Sequence, residues 1–240
     1  PTVSAVAITS ATNAANNLLN EGDVVSVTVT MDEATDVVGS PFITLTIGET
    51  TKQAAYASGT GTTSLVFTYT IEANLTDADG ISIEQDALAL NSGTLRDAAG
   101  NDATLSHAAV AANSSYGVDT TAPSISDTSF SFGESLNATE DNSDATATIT
   151  TIGVEDGQTV TLTIASVNYT GTIANNSAVI TVAAADLQAL SEGANSYAVN
   201  VSDAAGNAAV ESAGSFPVDT LAPSISDTSF SFGESLNATE

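Results

Sequence analysis

Cysteine and tryptophan are absent from the chain, and Lys52 and Arg96 are its only lysine and arginine. Without cysteine no disulfide can staple the fold, so stability must come from a hydrophobic core or from bound metal. Aromatic residues make up 5% of the sequence, which leaves the core to Val, Ile, Leu, Ala and a few Phe and Tyr. Two cations cannot neutralise 29 Asp and Glu, and the formal net charge is −27. A chain with no basic patch cannot release counterions from nucleic acid, and an anionic membrane surface repels it. No apolar run reaches the ~18 residues that a membrane-spanning helix needs. No signal peptide is present and Pro1 opens in mid-pattern, so the chain is expected to be a piece of a longer one.

Enzyme chemistry finds little purchase. Any Ser–His–Asp constellation would depend on His107, the only histidine, which the sequence places at the surface of a polar, alanine-rich stretch. A phosphate-cradling glycine loop with a lysine is missing. The acids fall in turns rather than beside aromatic residues that could stack on a sugar.

What is present is a polyanion that can still fold. Apolar residues make up 42% of the sequence, and Val, Ile and Thr recur at strand spacing, against the low hydrophobicity of a disordered acidic chain. Residues 118–140 recur at 218–240 with a single change, Thr121 to Leu221, at an offset of 100. A near-perfect repeat of this length implies duplication of whole modules, and the unit is the size of a seven-stranded sandwich.

In the second unit β-branched runs occupy 124–132, 145–154, 159–165, 167–174, 177–183, 196–202 and 212–219. They are separated by turn chemistry at Glu155-Asp156-Gly157, Asn175-Asn176, Ser191-Glu192-Gly193 and Ala205-Gly206-Asn207. The first unit carries runs at 2–9, 24–30, 42–47, 53–58, 64–71, 81–83 and 115–119, with an irregular stretch at 84–113. Short helical turns are expected at 183–189 and 108–112. The predicted fold is all-β: tandem Ig-like, cadherin-like Greek-key β-sandwiches in an elongated array. The predicted modules are 1–120 and 121–220, with 221–240 the first strand of a further repeat, where Phe230 and Phe232 would lack a core.

On an Ig-type topology the acids concentrate at module ends. Glu155, Asp156, Asp203 and Asn207 fall in loops of the second module at the end where the chain enters it. Glu21, Asp23, Asp77 and Asp79 fall in loops of the first module at the end where the chain leaves it, and Asp119 lies in the linker between them. Asp97 and Asn101 repeat the Asp203 and Asn207 pattern one module earlier, and Asp219 repeats Asp119. Like charges gathered at a joint are costly without a counter-ion, and an all-oxygen donor set suits calcium. Asp-Gly and Gly-Asn also form turns whatever they bind, so each acidic turn alone leaves both readings open. Their recurrence favours Ca2+.

The strings Asp97-Ala-Ala-Gly-Asn-Asp102, Val118-Asp119-Thr-Thr-Ala-Pro123, Asp203-Ala-Ala-Gly-Asn207 and Leu187-Gln-Ala-Leu-Ser-Glu-Gly193 resemble the Ig-like extender repeats of giant RTX-type bacterial adhesins. The resemblance implies a calcium-stiffened rod, outer-membrane anchored through other parts of the chain, that carries a distal binding domain for adhesion or biofilm growth. The expected partners are neighbouring Ig-like repeats of the same chain, in an otherwise monomeric protein. The alternative is a module that itself grips carbohydrate, ice or a host protein. Tyr56, Tyr69, Tyr169 and Tyr197 fall inside strand patterns, where core packing is their expected role, and Tyr116 is expected near the interdomain contact.

Overall fold

Alternation of β-branched and small polar residues produces strands with one apolar face, and in the computed structural model, which describes residues 1–229, strands are the dominant regular element. The first part of the chain contains β1 (Val3–Ala11), β2 (Leu18–Leu19), β3 (Val24–Val38), β4 (Phe42–Ile47), β5 (Thr50–Ser58), β6 (Thr62–Thr70), β7 (Thr76–Asp77), β8 (Leu88–Ala89), β9 (Thr94–Arg96) and β10 (Gly117–Asp119). The second part contains β11 (Ser124–Phe130), β12 (Leu136–Asn137), β13 (Ala145–Ile152), β14 (Thr159–Ile164), β15 (Val167–Thr172), β16 (Ser177–Val182), a helical turn α1 (Ala184–Leu187), β17 (Gly193–Val201) and β18 (Ser212–Asp219).

The second part is an Ig-like Greek-key sandwich. One sheet has the order β11-β13-β16, the other β12-β18-β17-β14-β15, and β12 runs parallel to β18. Inward positions alternate along each strand: Ala145, Ala147 and Ile149 on β13 face Val160, Leu162 and Ile164 on β14. Phe130 and Phe132 stack at 5.0 Å, and both pack against Phe216 at 5.1 and 4.9 Å.

The first part rolls one seven-stranded sheet, β1-β3-β6-β5-β4-β8 with β9 paired to β3, around its own core. β3 and β4 are consecutive but unpaired, with β6 and β5 lying between them in the sheet, the strand order of a Greek key. Val25, Val27 and Val29 of β3 and Ile43, Leu45 and Ile47 of β4 are buried in one cluster with Leu65 and Phe67 of β6. A separate cluster serves the second part.

Several expectations meet a different outcome. His107 is not at the surface: it is 8% exposed, its Nε2 accepts from Ala87 N at 2.9 Å, and its own N–H donates to Asp86 Oδ1 at 3.0 Å. It is a satisfied structural histidine that ties the irregular stretch to the loop before β8. Residues 108–112 form no helix, because Val110 exchanges hydrogen bonds with Ile83 and is drawn into the sheet system. Tyr116 packs against the first core, while Tyr56, Tyr69, Tyr169 and Tyr197 all pack on cores as expected. Residues 221–229 form no strand and are exposed. Of the expected opening strand of a further repeat, 221–240, only 221–229 fall within the described residues; the rest, with Phe230 and Phe232, lies outside them.

Asp77 shows how these loops are held. Its Oδ1 accepts from Gly80 N at 2.9 Å and its Oδ2 from Gly48 N at 2.8 Å, so one carboxylate, 6% exposed, ties two turns together. Gly80 sits at φ +94°, and a Cβ there would lie 1.9 Å from Asn113 O. Gly80→Ala therefore combines a left-handed strain with a backbone clash. We expect it to destabilise the first module by on the order of 1–3 kcal/mol or more. Native-state hydrogen exchange of the β3 and β6 amides reads this directly, and unchanged protection would count against this account of the turn.

Candidate functional site at the inter-module joint

The second module's Asp203-Ala204-Ala205-Gly206-Asn207 loop folds on itself. Asp203 Oδ1 accepts from Asn207 N at 2.8 Å and Oδ2 from Asn207 Nδ2 at 2.9 Å, and Gly206 at φ +91° lets the chain turn back. The first module repeats this fold: Asp97 Oδ1 accepts from Asn101 N at 2.8 Å, Oδ2 from Asn101 Nδ2 at 2.7 Å, and Gly100 lies at φ +88°. The recurring aspartate thus organises its own loop, the role any Asx-type turn gives it.

The two loops differ in what covers them. Asp97 to Asn101 lies at the leading end of the first module, beside Pro1, and Ala98, Ala99 and Asn101 are exposed. Asp203 to Asn207 lies against the first module instead, and Ala205 is 1% exposed. Asn16 Nδ2 donates to Ala204 O at 2.8 Å, Asn20 Nδ2 to Ala205 O at 3.0 Å, and Asn207 Nδ2 to Asp119 O at 2.9 Å. Asn16 is delivered by a two-residue hairpin in which Ala15 and Leu18 exchange backbone bonds and Asn16 and Asn17 both take positive φ, a conformation asparagine tolerates. These three bonds span the joint, and sequence reasoning missed Asn16 and Asn20. The signal was available, since Asn16-Asn17 repeats the dipeptide at Asn175-Asn176, which forms the same turn.

The linker is shorter in effect than in sequence. Thr120 is fastened to the first module: its N donates to Leu75 O at 3.1 Å, and its Oγ1 accepts from Leu75 N at 2.8 Å. β11 begins at Ser124, so only Thr121, Ala122 and Pro123 lie between pairings. Pro123 further restricts Ala122 to extended conformations.

The acids named from sequence fall into three groups. At the joint, Asp77, Asp119 and Glu155 line one cavity of about 530 Å³ whose other walls are mostly apolar. Glu155 Oε2 accepts from Ala204 N at 2.8 Å, and Asp119 Oδ1 accepts from Thr121 N at 2.9 Å. Asp23, 3% exposed, caps Asn20 N at 2.9 Å and so supports a joint residue from below. Asp156 turns to Asn175 N at 2.7 Å, and Glu21 and Asp79 are exposed. Asp97 and Asn101 sit at the leading end, and Asp219, whose Oδ1 accepts from Leu221 N at 3.2 Å, at the trailing end.

The donor chemistry suits a hard dication, since every side chain offered is a carboxylate or amide oxygen. The spacing does not close a shell: among the described residues no three His, Asp or Glu side chains gather into a group that could hold a metal ion. Asp77, Asp119 and Glu155 share a cavity wall without converging on one point.

No family model matches the chain, and no curated protein matches it in sequence. Solved structures similar to it include a Ca2+-stabilized adhesin that helps an Antarctic bacterium reach out and bind ice, at 25% identity and TM-score 0.46 over 92% of this chain and 50% of that one. A second comes from work on host cell surface retention of a 1.5-MDa bacterial ice-binding adhesin, at 23% identity and TM-score 0.43 over 92% of this chain and 65% of that one. A third is a bacterial immunoglobulin-like domain from the M. primoryensis ice-binding adhesin, at 33% identity and TM-score 0.29 over 38% of this chain and 95% of that one. The chain spans half the length of the first and about two-thirds that of the second, at 65%. It is a tandem of Ig-like β-sandwiches, similar to domains of bacterial ice-binding adhesins.

Asp97 carries a measurable signature of its loop. The Asn101 amide, followed by backbone N–H donors, holds its carboxyl below the usual 3.8. A carboxyl depressed in the folded state stabilises the fold fully above its unfolded value and loses that contribution as pH falls through the folded one. The Asp97 carboxyl is therefore expected to titrate below 3.8 by carbon-detected NMR. In Asn101→Ala the midpoint should move up, and an unmoved midpoint would show that the amide does not hold the charge.

Proposed function

We propose that this chain is a calcium-rigidified extender region of a large bacterial surface adhesin, a spacer that projects a distal binding domain from the outer membrane for attachment or biofilm growth. The observation that carries the reading is the joint: two sandwiches meet end to end across a linker with three residues between pairings, where Asp119, Glu155 and Asp77 face one cavity. A spacer transmits length only if such joints resist bending. The extreme negative charge and the duplicated module support the same reading.

Calcium would enter at this joint. Asp119 and Glu155 are the first candidates to hold it, with Asp156, Asp203 and Asn207 from the second module and Glu21, Asp23, Asp77 and Asp79 from the first. Asp97 with Asn101, and Asp219, would serve equivalent joints at the outer ends. A bound dication offsets the repulsion that a −27 chain otherwise concentrates there.

Two measurements test this. Calcium that binds only the folded protein must raise the melting temperature as its concentration rises, with an affinity of about 10⁻⁴–10⁻³ M expected for extracellular modules. Identical melting curves in chelator and in calcium would sink the metal reading. Small-angle scattering should show a longer maximum dimension and narrower spread in calcium than in chelator. Asp119→Ala in calcium should resemble chelation while both sandwiches stay folded.

A further inference from the structure

The three asparagine bonds across the joint do something that the acids do not require. We infer that the Asp-Ala-Ala-Gly-Asn loop is a docking element whose partner is the asparagine-bearing trailing loop of the adjoining sandwich, and that together they form a metal-independent latch. The inference rests on the tandem-array reading and not on calcium.

The loop's aspartate and glycine shape the backbone, and its alanines carry the contact. Asn16 and Asn20 read the carbonyls of Ala204 and Ala205 at 2.8 and 3.0 Å. A carbonyl is available whatever the side chain, but approach is close: Ala205 is buried, and a Cβ added at Gly206 would lie 3.3 Å from Asn20 Nδ2. Small residues are thus required between Asp203 and Asn207 for the other module to reach the backbone. The same spacing of small residues at Asp97 to Asn101, with the same internal bonds, is an acceptor half standing exposed at the leading end.

One of the two donors, Asn20, recurs too. Leu19 lies opposite Val118 in the parallel β2–β10 pair, and Leu136 lies opposite Val218 in the parallel β12–β18 pair, so Asn137 occupies the position of Asn20. Both asparagines are capped alike: Asn20 N donates to Asp23 at 2.9 Å and Asn137 N to Glu140 at 3.1 Å. Asp219 repeats the turn of Asp119, each accepting from the backbone N–H two residues on. One engaged latch therefore sits between an exposed acceptor at one end and, at the other, an exposed Asn137 that matches one of its two donor asparagines.

The absence of cysteine makes the test clean. Spin labels on Val38→Cys and Val179→Cys, both exposed, report the distance distribution between modules in the full chain. Asn16→Gly with Asn20→Ala removes both donor amides while glycine keeps the positive φ of position 16. In chelator, where no ion contributes, this double variant should be broader than the unaltered chain. The ratio of open to closed joints should rise on the order of tenfold for two lost hydrogen bonds. Asn101→Ala, at the exposed copy of the loop, should leave the distribution unchanged, and both variants should keep the circular dichroism of the parent. If chelation fails to broaden the parent chain while the double variant does broaden, the latch stands and the calcium reading falls. A double variant as narrow as the parent in chelator overturns the latch.

Discussion

Backbone N–H groups serve as the counter-charges of this protein. With 29 carboxylates and only two lysine or arginine side chains, ion pairs cannot hold the loops, and Lys52–Glu72 and Arg96–Asp102 account for both cations. Instead Asp23, Asp77, Asp97, Asp119, Asp156, Asp203 and Glu155 each accept from at least one main-chain amide. Most of these bonds close a turn, while those of Asp156 and Glu155 tie separate loops together, so the acids that make the chain a polyanion are also what give its loops fixed shapes. A charge-assisted bond of this kind is shorter and stronger than a neutral one, which suits loops that must present carbonyls and carboxylates in a set geometry.

This dual use shifts what the acidic motifs mean. Asp203 and Asp97 use both oxygens inside their own loops, and their roles at module ends pass through the backbone they shape rather than through a free carboxylate. Asp119 and Glu155 differ, since each faces a shared cavity and is engaged through one oxygen among the described residues. The joint thus has two layers: a neutral one of asparagine amides on carbonyls, and a charged one of carboxylates lining the cavity.

Much of this was legible in the sequence. Except for β12, the strand runs of the second module match the structure to within about three residues at each end, because period-2 alternation from Ala145 to Ile152 and from Ser177 to Val182 survives into the buried pattern. Turn residues such as Gly157, Asn175 and Gly206 fell where positive φ was needed. The first module was harder beyond Ile83, since the strands there are two or three residues long and pairing is set by distant partners rather than by local pattern. His107 was misplaced for a related reason: its neighbours are alanine and serine, and only the tertiary approach of Ala87 and Asp86 encloses it. At the joint the recurring Asp-Ala-Ala-Gly-Asn string pointed to Asn207, while counting charges passed over Asn16 and Asn20, the uncharged residues that donate across the joint from the first module.

The parallel pairs β2–β10 and β12–β18 have a consequence under tension. In each module the short strand follows the opening strand, and its parallel mate is the last strand before the chain departs. A pull applied to the two ends of a module drags these mates in opposite directions along their length. Their hydrogen bonds lie across the line of pull, so they are loaded in shear and must give way together instead of peeling one by one. Under such a pull each module would resist extension at the very strands that lead into its joint.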